Sequence, residues 1–531
     1  MREKILRSRA LVLPILAIYL GLIIYTAWVS DDGFITFRSI ENWVHGYGLV
    51  FNVGERVQTF THPLWLILQS LLYFLTRPFD SPFGLNKLFY GNLVLCLSLS
   101  LLTTAIYSFK IARSTQMAIA GVFTLTLSKA YIDYSTSGLE NPLSHFLALC
   151  FFGLFLFREK DGPRYATVLA FLAGLAALNR LDTILIFFPA LVYVFWKSPG
   201  RFKTVSSFLI GFLPLAFWEL FSLFYYGTPF PNTASAKLDT GIQTIILLKQ
   251  GVYYFLNSLR MDTITLVIIA CSIVFSIFSR NLRRISTAVG IGLYLCYILY
   301  IGGDFMSGRY FSLPLIVAVI LLSTFEPKSL LVSGGTLVTV LIIGLLPLFT
   351  TIERRPTYGK NRENNLVFFD AHKIADERLV YAERTGLRAA VQGNSPKVVY
   401  SQEEWEYTPG YPREVHLVGA MGINGYRDGP NIHVIDVNGL ADPLISRMPL
   451  EDTEGFRIGH FHHIIPDGYE ETLASGTNQI QDADIASYYD KLSFVVRGPL
   501  WDWWRILEIW NLNTGKYDHL IENVDINQVP Q

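Results

Sequence analysis

Over the first 350 residues, long apolar runs alternate with short polar stretches that carry charge, and the alternation then stops. A helix that crosses the hydrocarbon core of a bilayer needs about 20 mostly apolar residues, within a range of about 17–25. Candidate runs lie near 10–29, 86–109, 114–132, 141–157, 165–179, 183–196, 204–226, 262–279, 286–301, 309–325 and 329–350. They predict about eleven transmembrane helices. The run from Leu64 to Leu75 is only about a dozen residues long, which suits an interfacial or re-entrant helix better than a crossing. Residues 10–29 are read as a span, because the apolar run exceeds the ~7–15 residues of a signal-peptide core and the cleavage pattern is poor.

After Thr350 the pattern becomes that of a water-facing domain. Lys397-Val398-Val399-Tyr400 and Ile432-His433-Val434-Ile435 read as short strands. Gly422 to Gly429 and Asn438-Gly439 read as turns. Ala371–Ala389 and Asp484–Leu492 read as helices, the second with Asp484 as its N-cap. The expected division is a transmembrane domain over 1–350 and a soluble mixed α/β domain over 351–531.

Composition agrees with that division. Hydrophobic residues make up 51% of the 531 and charged ones only 16%, too few for a soluble protein of this length. Forty-three basic residues balance 43 acidic ones, so no global charge draws the chain to nucleic acid. Cys96, Cys150, Cys271 and Cys296 all lie in apolar stretches, without metal-ligand spacing, and the soluble part has no cysteine. This excludes a disulfide scaffold and argues against redox chemistry.

Charge fixes the expected orientation, because cytoplasmic loops carry an excess of Lys and Arg. With the N-terminus inside and 64–75 not crossing, the inner loops hold Lys110 and Arg113; Arg158, Lys160 and Arg164; Lys197, Arg201 and Lys203; Arg280, Arg283 and Arg284; and Lys328. Asp31, Asp32, Glu140, Asp182, Asp304 and the 229–237 stretch then face outside, as does 351–531. This places the chain in a cytoplasmic membrane, with its C-terminal domain extracytoplasmic. Counting 64–75 as a crossing would put the later basic loops outside, against the rule.

Paired carboxylates directly after a span are costly to desolvate. Asp31-Asp32 is either a solvated flank that stops the helix or a functional pair. A glycine-punctuated polar loop with Glu55 and Arg56 follows, and then Thr61-His62-Pro63, where Pro suits a helix start. His62 reads as an interfacial histidine or as a ligand for phosphate or metal. Arg180, Lys237 and Arg309 are basic residues on an otherwise acidic outer face, either as anion ligands or as headgroup anchors and counter-charges.

Several of these stretches resemble one known family. Asp31-Asp32-Gly-Phe-Ile-Thr-Phe-Arg38, His45-Gly-Tyr-Gly-Leu-Val-Phe-Asn-Val-Gly-Glu55-Arg56 and Thr61-His62-Pro-Leu-Trp65 resemble the first external loop of the arabinofuranosyltransferase-like branch of the GT-C glycosyltransferases. Mycobacterial terminal arabinofuranosyltransferases are in that branch. Ser137-Gly-Leu-Glu140-Asn-Pro142 is similar to its second acidic motif. Asn179-Arg180-Leu181-Asp182 is similar to an Arg-Pro-Asp motif, with Leu181 where proline is usual. Tyr226-Gly227 with Pro231-Asn232-Thr233 and Ala236-Lys237, and Gly302-Gly303-Asp304-Phe305-Met306 with Arg309, match further loops. In the last domain, Asp436-Val-Asn-Gly-Leu-Ala-Asp442-Pro443 and Arg457-Ile-Gly-His460-Phe461 match as well.

The resemblance implies a GT-C-type helical membrane domain that transfers a sugar from a polyprenyl-phosphate donor to a cell-envelope glycan on the extracytoplasmic side. It implies that an aspartate of the first external loop, Asp31 or Asp32, is the catalytic base, with Asp31 favoured. Chemistry agrees: attack at an anomeric carbon needs a base for the acceptor hydroxyl, and a departing phosphate needs cations. Arg309, Lys237, Arg180 and His62 are the candidate phosphate ligands. Glu140, Asp182, Asp304, Arg38 and Glu55 are candidates to orient the acceptor or the base. No cofactor is assigned; a divalent cation on oxygens of Asp32 and Glu140 stays open. Trp501, Trp503, Trp504 and Trp510 suit sugar stacking, a protein core or a membrane interface. Other readings are a protein glycosyltransferase of the same superfamily, a lipid-linked sugar transporter, and a flagellar-motor-related membrane protein. Acidic groups clustered at span ends favour a surface active site over a transporter's midplane site.

Overall fold

The computed structural model describes residues 10–158, 162–238, 240–325, 330–345, 358, 360, 367–399, 405–453 and 455–521. The N-terminal basic flank, Lys160, Lys328, Tyr400 and the expected domain boundary at 350 lie outside these residues. Contacts divide the chain into two interleaved units. The first comprises Met1–Ser30, Phe89–Leu215 and Thr244–Val399; the second comprises Asp31–Leu88, Ala216–Gln243 and Tyr400–Gln531.

The first unit is helical, and the apolar runs within it form helices. They include Leu13–Tyr25, Lys87–Ile106, Thr115–Leu127, Asn141–Phe157, Pro163–Asn179, Ile184–Lys197, Thr263–Phe278, Leu282–Tyr300, Ser312–Leu322 and Leu330–Leu345. The expected span 204–226 is two helices, Arg201–Gly211 and Leu213–Tyr225, broken at Phe212. Among the described residues, Lys87–Ile111 and Leu282–Tyr300 are each long and apolar enough to cross a membrane, and there are up to four such spans if two bent pairs each form one. One bent pair, Thr244–Met261 with Thr263–Phe278, turns by 111° at Asp262. The carboxylate of Asp262 caps the second helix at that turn, accepting from the N–H of Thr265 (3.3 Å). It also accepts from the backbone N–H of Ala130 (2.9 Å) and from the hydroxyls of Ser128 (2.8 Å) and Thr265 (2.7 Å). A buried helix start is thereby satisfied.

Close helix contacts depend on missing side chains. A Cβ on Gly290 would lie 2.1 Å from the Ile186 carbonyl oxygen, and one on Gly251 would lie 2.3 Å from that of Leu299. Small residues that let backbones approach are the usual packing device in membranes. The segment after the last apolar helix is pinned by buried ion pairs. Lys129 pairs with Asp133 and with Asp376 Oδ1 (3.2 Å), and Arg378 Nε donates to Asp133 Oδ1 (2.6 Å). Removing one partner of such a pair typically costs about 3–5 kcal/mol.

The second unit begins with helix Asp31–Val44 and helix Pro63–Thr76, and the latter is the expected short apolar element. Among the described residues its strands are Val415–Val418 and His433–Asp436, paired parallel from Val415↔His433 to Val418↔Asp436. Helix Met421–Asp428 connects them. Ile35 and Phe51 pack with Met421, Val434 and Ala441, so the segment after Asp31 and the C-terminal segment share one core. A second core gathers Tyr469, Leu473, Ile485, Tyr488, Leu492 and Val496 around helices Tyr469–Ser475 and Ala483–Arg497.

Several local expectations are corrected. Lys397–Val399 is a 3-10 turn, not a strand. The helix expected over 371–389 starts later, as Glu377–Thr385 capped by Asp376, with Leu387–Val391 following. Asp482, not Asp484, caps Ala483–Arg497, accepting from the N–H of Asp484 and of Ile485 (each 2.9 Å).

Candidate functional site

In the first unit, helix ends bring five predicted residues together. Glu140 precedes helix Asn141–Phe157 and Arg180 follows helix Pro163–Asn179. Asp182 lies in the turn Leu181–Thr183, and Arg309 opens the turn before Ser312–Leu322. Gly303 (φ 81°) and Gly308 (φ 77°), directly before Asp304 and Arg309, adopt left-handed backbone, where other residues are strained. A Cβ at Gly303 would meet the Tyr254 ring at 2.5 Å.

Glu140 is fully buried and bridges both arginines. Its Oε1 accepts from Arg180 Nη1 (2.9 Å) and Arg309 Nη2 (3.2 Å). Arg180 Nε also donates to both oxygens of Asp182 (2.9 and 3.0 Å), and Asp304 lies 3.7 Å from Arg309. The Tyr310 ring lies 4.5 Å from the Arg180 guanidinium carbon. Both cations are thus held in fixed orientation, and the Arg180 side chain keeps 15% of its surface open to a ligand. Fixed guanidinium forks suit planar recognition of phosphate or carboxylate.

In the second unit, Asp31 and Asp32 occupy the first turn of helix Asp31–Val44, where the helix dipole favours negative charge. The Asp31 carboxylate also caps a second helix. Gly422 N–H donates to Oδ2 (3.0 Å) and Ile423 N–H to Oδ1 (2.9 Å), both at the start of Met421–Asp428. This approach needs glycine: a Cβ at 422 would lie 1.9 Å from the Asp31 carbonyl oxygen. Burial pushes the Asp31 carboxyl up to about 6, the two amide donors oppose the rise, and the like charges of Asp32 and Asp436 add to it.

Asp436 was not among the candidates. It ends the second strand, and its carboxyl is likewise raised to about 6 by burial, opposed by N–H donors and by the charge of Lys237. The sequence signal for it was the Asp436-Val-Asn-Gly motif. Lys237, exposed near the end of helix Asn232–Leu238, therefore lies within electrostatic reach of Asp436. Arg457 and Lys237 also act on His460, which burial holds at about 3. His62 is buried ahead of helix Pro63–Thr76, and its Nε2 shares a 2.8 Å hydrogen bond with Thr36 Oγ1. Thr36 stands four residues after Asp32, on the same helix face.

Two predicted residues are occupied with holding the unit together. The Arg38 guanidinium is fully buried and donates to the carbonyls of Phe51 (2.7 Å), Ile432 (2.8 Å) and Gly425. Glu55 is buried, accepts from Arg497 (3.1 Å) and faces His433 at 3.7 Å. For a metal ion, the described residues contain no group of three or more His, Cys, Asp or Glu that could hold one. Asp32 and Glu140 belong to different units.

Residues 83–221 match the family described as dolichyl-phosphate-mannose-protein mannosyltransferase. The chain is 26% identical over 530 residues to a terminal β-(1→2)-arabinofuranosyltransferase of Mycobacterium tuberculosis, covering 83% of this chain and 81% of the relative. It is 26% identical over 512 residues to the enzyme of the same name from Corynebacterium glutamicum, covering 82% and 72%. Among solved structures, the archaeal oligosaccharyltransferase AglB from Archaeoglobus fulgidus, in complex with an inhibitory peptide and a dolichol-phosphate, aligns with a TM-score of 0.45 and 12% identity. That alignment covers 80% of this chain and 64% of AglB. By the family match and the two relatives, the chain is similar to glycosyltransferases of the GT-C type, in keeping with its apolar helices. Within that class its relatives are terminal arabinofuranosyltransferases.

Proposed function

We propose that this chain transfers a sugar, arabinofuranose by its relatives, from a polyprenyl-phosphate donor to a cell-envelope glycan outside the cytoplasmic membrane. About eleven helices span that membrane in this reading, with the N-terminus cytoplasmic and 351–531 outside. The observation that carries the reaction is Asp31. Its carboxylate is oriented by two amide donors, and burial brings it close to neutral pH. A carboxylate has about four acceptor positions, so two N–H bonds leave capacity for an incoming hydroxyl.

In the proposed step, the acceptor hydroxyl attacks the anomeric carbon as Asp31 takes its proton. The new glycosidic C–O bond forms while the bond from that carbon to the phosphate oxygen breaks, and the anionic lipid phosphate departs. A single displacement inverts configuration. Asp32 and His62 support the base side. Lys237, Arg180 and Arg309 are assigned to phosphate charge, with Glu140, Asp182 and Asp304 holding the two arginines. Arg38 and Glu55 are given no direct role.

A synthetic short-chain polyprenyl-phosphate arabinofuranose with an oligosaccharide acceptor tests this on purified protein, with the product's anomeric configuration read by NMR. Inverted product is expected. Retention, or wild-type turnover in Asp31→Asn/Asp32→Asn, would overturn the mechanism. The match over 83–221 to a protein-mannosyltransferase family supports a second reading, with a protein acceptor. Replacing the oligosaccharide by a protein acceptor in the same assay separates the two.

A further inference from the structure

Helix Trp503–Asn513 carries a broad apolar face that the protein leaves uncovered. Its polar and charged groups turn inward: Arg505 and Asn511 are buried, and Glu508 accepts from Asn511 Nδ2 (3.1 Å) and from the Tyr517 hydroxyl (2.7 Å). Ile509 and Leu512 face the core, but its largest apolar groups turn outward: Trp503 is 72% exposed, Trp510 69%, and Ile506 and Leu507 39% each. These four positions follow i, i+3, i+4 and i+7, one face of a helix. Trp501 and Trp504 extend the face at 85% and 67%. No charged residue stands on the stripe. Water alone does not select such a surface, and single-chain soluble proteins rarely leave one uncovered.

The face also continues from a helix of membrane composition. The Trp501 ring lies 4.8 Å from the ring of Phe224, at the end of helix Leu213–Tyr225. Arg505 fastens the two elements, donating to the carbonyls of Phe224 (2.8 Å) and Tyr225 (3.0 Å). Those carbonyls belong to the helix's last turn, where a cation is favoured. On the same helix Phe217 and Leu220 are 66% and 64% exposed. Tryptophan concentrates where chain meets the lipid–water interface, since its ring prefers the headgroup level.

We infer that Trp503–Asn513 is a membrane-interface helix: its tryptophan face lies in the headgroup region of the bilayer and anchors the C-terminal part of the second unit to the lipid surface. The stripe is then occupied by lipid and not by the acceptor glycan, one of the uses the sequence left open for these tryptophans. The inference stands on membrane association alone and requires no assignment of donor, acceptor or base.

The test is depth by spin-label accessibility on the full chain in phosphatidylcholine/phosphatidylglycerol vesicles. The four native cysteines are replaced, and labels are placed one at a time at Leu507→Cys and, as a water-exposed control in the same unit, Thr477→Cys. Both positions are exposed, so neither label disturbs a core. The expected result is high collision with oxygen and low collision with a water-soluble nickel chelate at 507, with the reverse at 477. Nickel access at 507 equal to that at 477 would overturn the inference and return the face to solvent or glycan. Exclusion of both reagents at 507 would also overturn it, since a protein partner would then cover the face. No turnover enters the measurement, so its failure is distinguishable from failure of the proposed reaction.

Discussion

Asp31→Asn separates chemistry from architecture. In the wild type the carboxyl rises from 3.8 to about 6, which is about two pH units. At about 1.36 kcal/mol per unit, ionising Asp31 at neutral pH costs the folded state up to about 3 kcal/mol, and less after screening at its open edge. The sign follows from linkage. Because the folded pKa is raised, this contribution to stability is fully present below the unfolded pKa and is lost as pH rises through about 6. Asparagine removes the ionisation cost. It also sets an N–H group against one of the two amide donors, Gly422 or Ile423, at a cost of about 1–3 kcal/mol. The two changes oppose each other, so the melting temperature at pH 7 should move little. Turnover should fall by about 10²–10⁴-fold, the usual loss with a general base.

The same residue sets the pH profile. A base must be ionised to accept a proton, so kcat/KM should fall as pH drops through about 6, well above the range of an ordinary aspartate. Steady-state kinetics with a short-chain donor, alongside thermal melts of both proteins across pH, measures both quantities. An acid limb near 4 in the wild type, or wild-type turnover in Asp31→Asn, would refute the assignment. Loss of turnover in Asp32→Asn with Asp31→Asn intact would move the role to the second acid.

Other variants probe the surroundings. Gly422→Ala places a Cβ where the Asp31 carbonyl oxygen stands, so kcat should drop with little change in donor KM, read by the same kinetics. Glu140→Gln keeps the shape but leaves Arg180 and Arg309 sharing a neutral acceptor in a buried site; a stability loss of about 3–5 kcal/mol by denaturant titration is expected. Lys237→Ala should raise donor KM more than it lowers kcat if its contact is equal in ground and transition states, and it should raise the Asp436 carboxyl further. Unchanged KM would place the phosphate on the Arg180 and Arg309 pair.

Charged and apolar patterning made the helices and the acidic motifs legible, because both are set by local residues. Pro63 after His62 announced a helix start, and the helix begins there. The run 204–226 is apolar enough to read as one span, yet the helix breaks at Phe212, just before Pro214, since composition measures burial in lipid and not continuity of the backbone. Thr244–Met261 carries Lys249, Gln250, Asn257 and Arg260, so no hydropathy window marked it; only packing, with Gly251 against Leu299, reveals why it is helical. The functional groups show the same divide. Asp31 and Asp32 could be picked out as a pair, but the amides that orient Asp31 come from residues 422 and 423, nearly 400 positions away. Arg38 and Glu55 stand in the same motif block, and their distant partners, Gly425, Ile432 and Arg497, turn them into struts. A motif therefore marks where polar groups are costly enough to need a reason. Whether that reason is chemistry or architecture depends on which distant residue completes each one. For Asp31 the partners are backbone amides, which orient the carboxylate without neutralising it. For Glu55 the partner is a guanidinium, which does neutralise it.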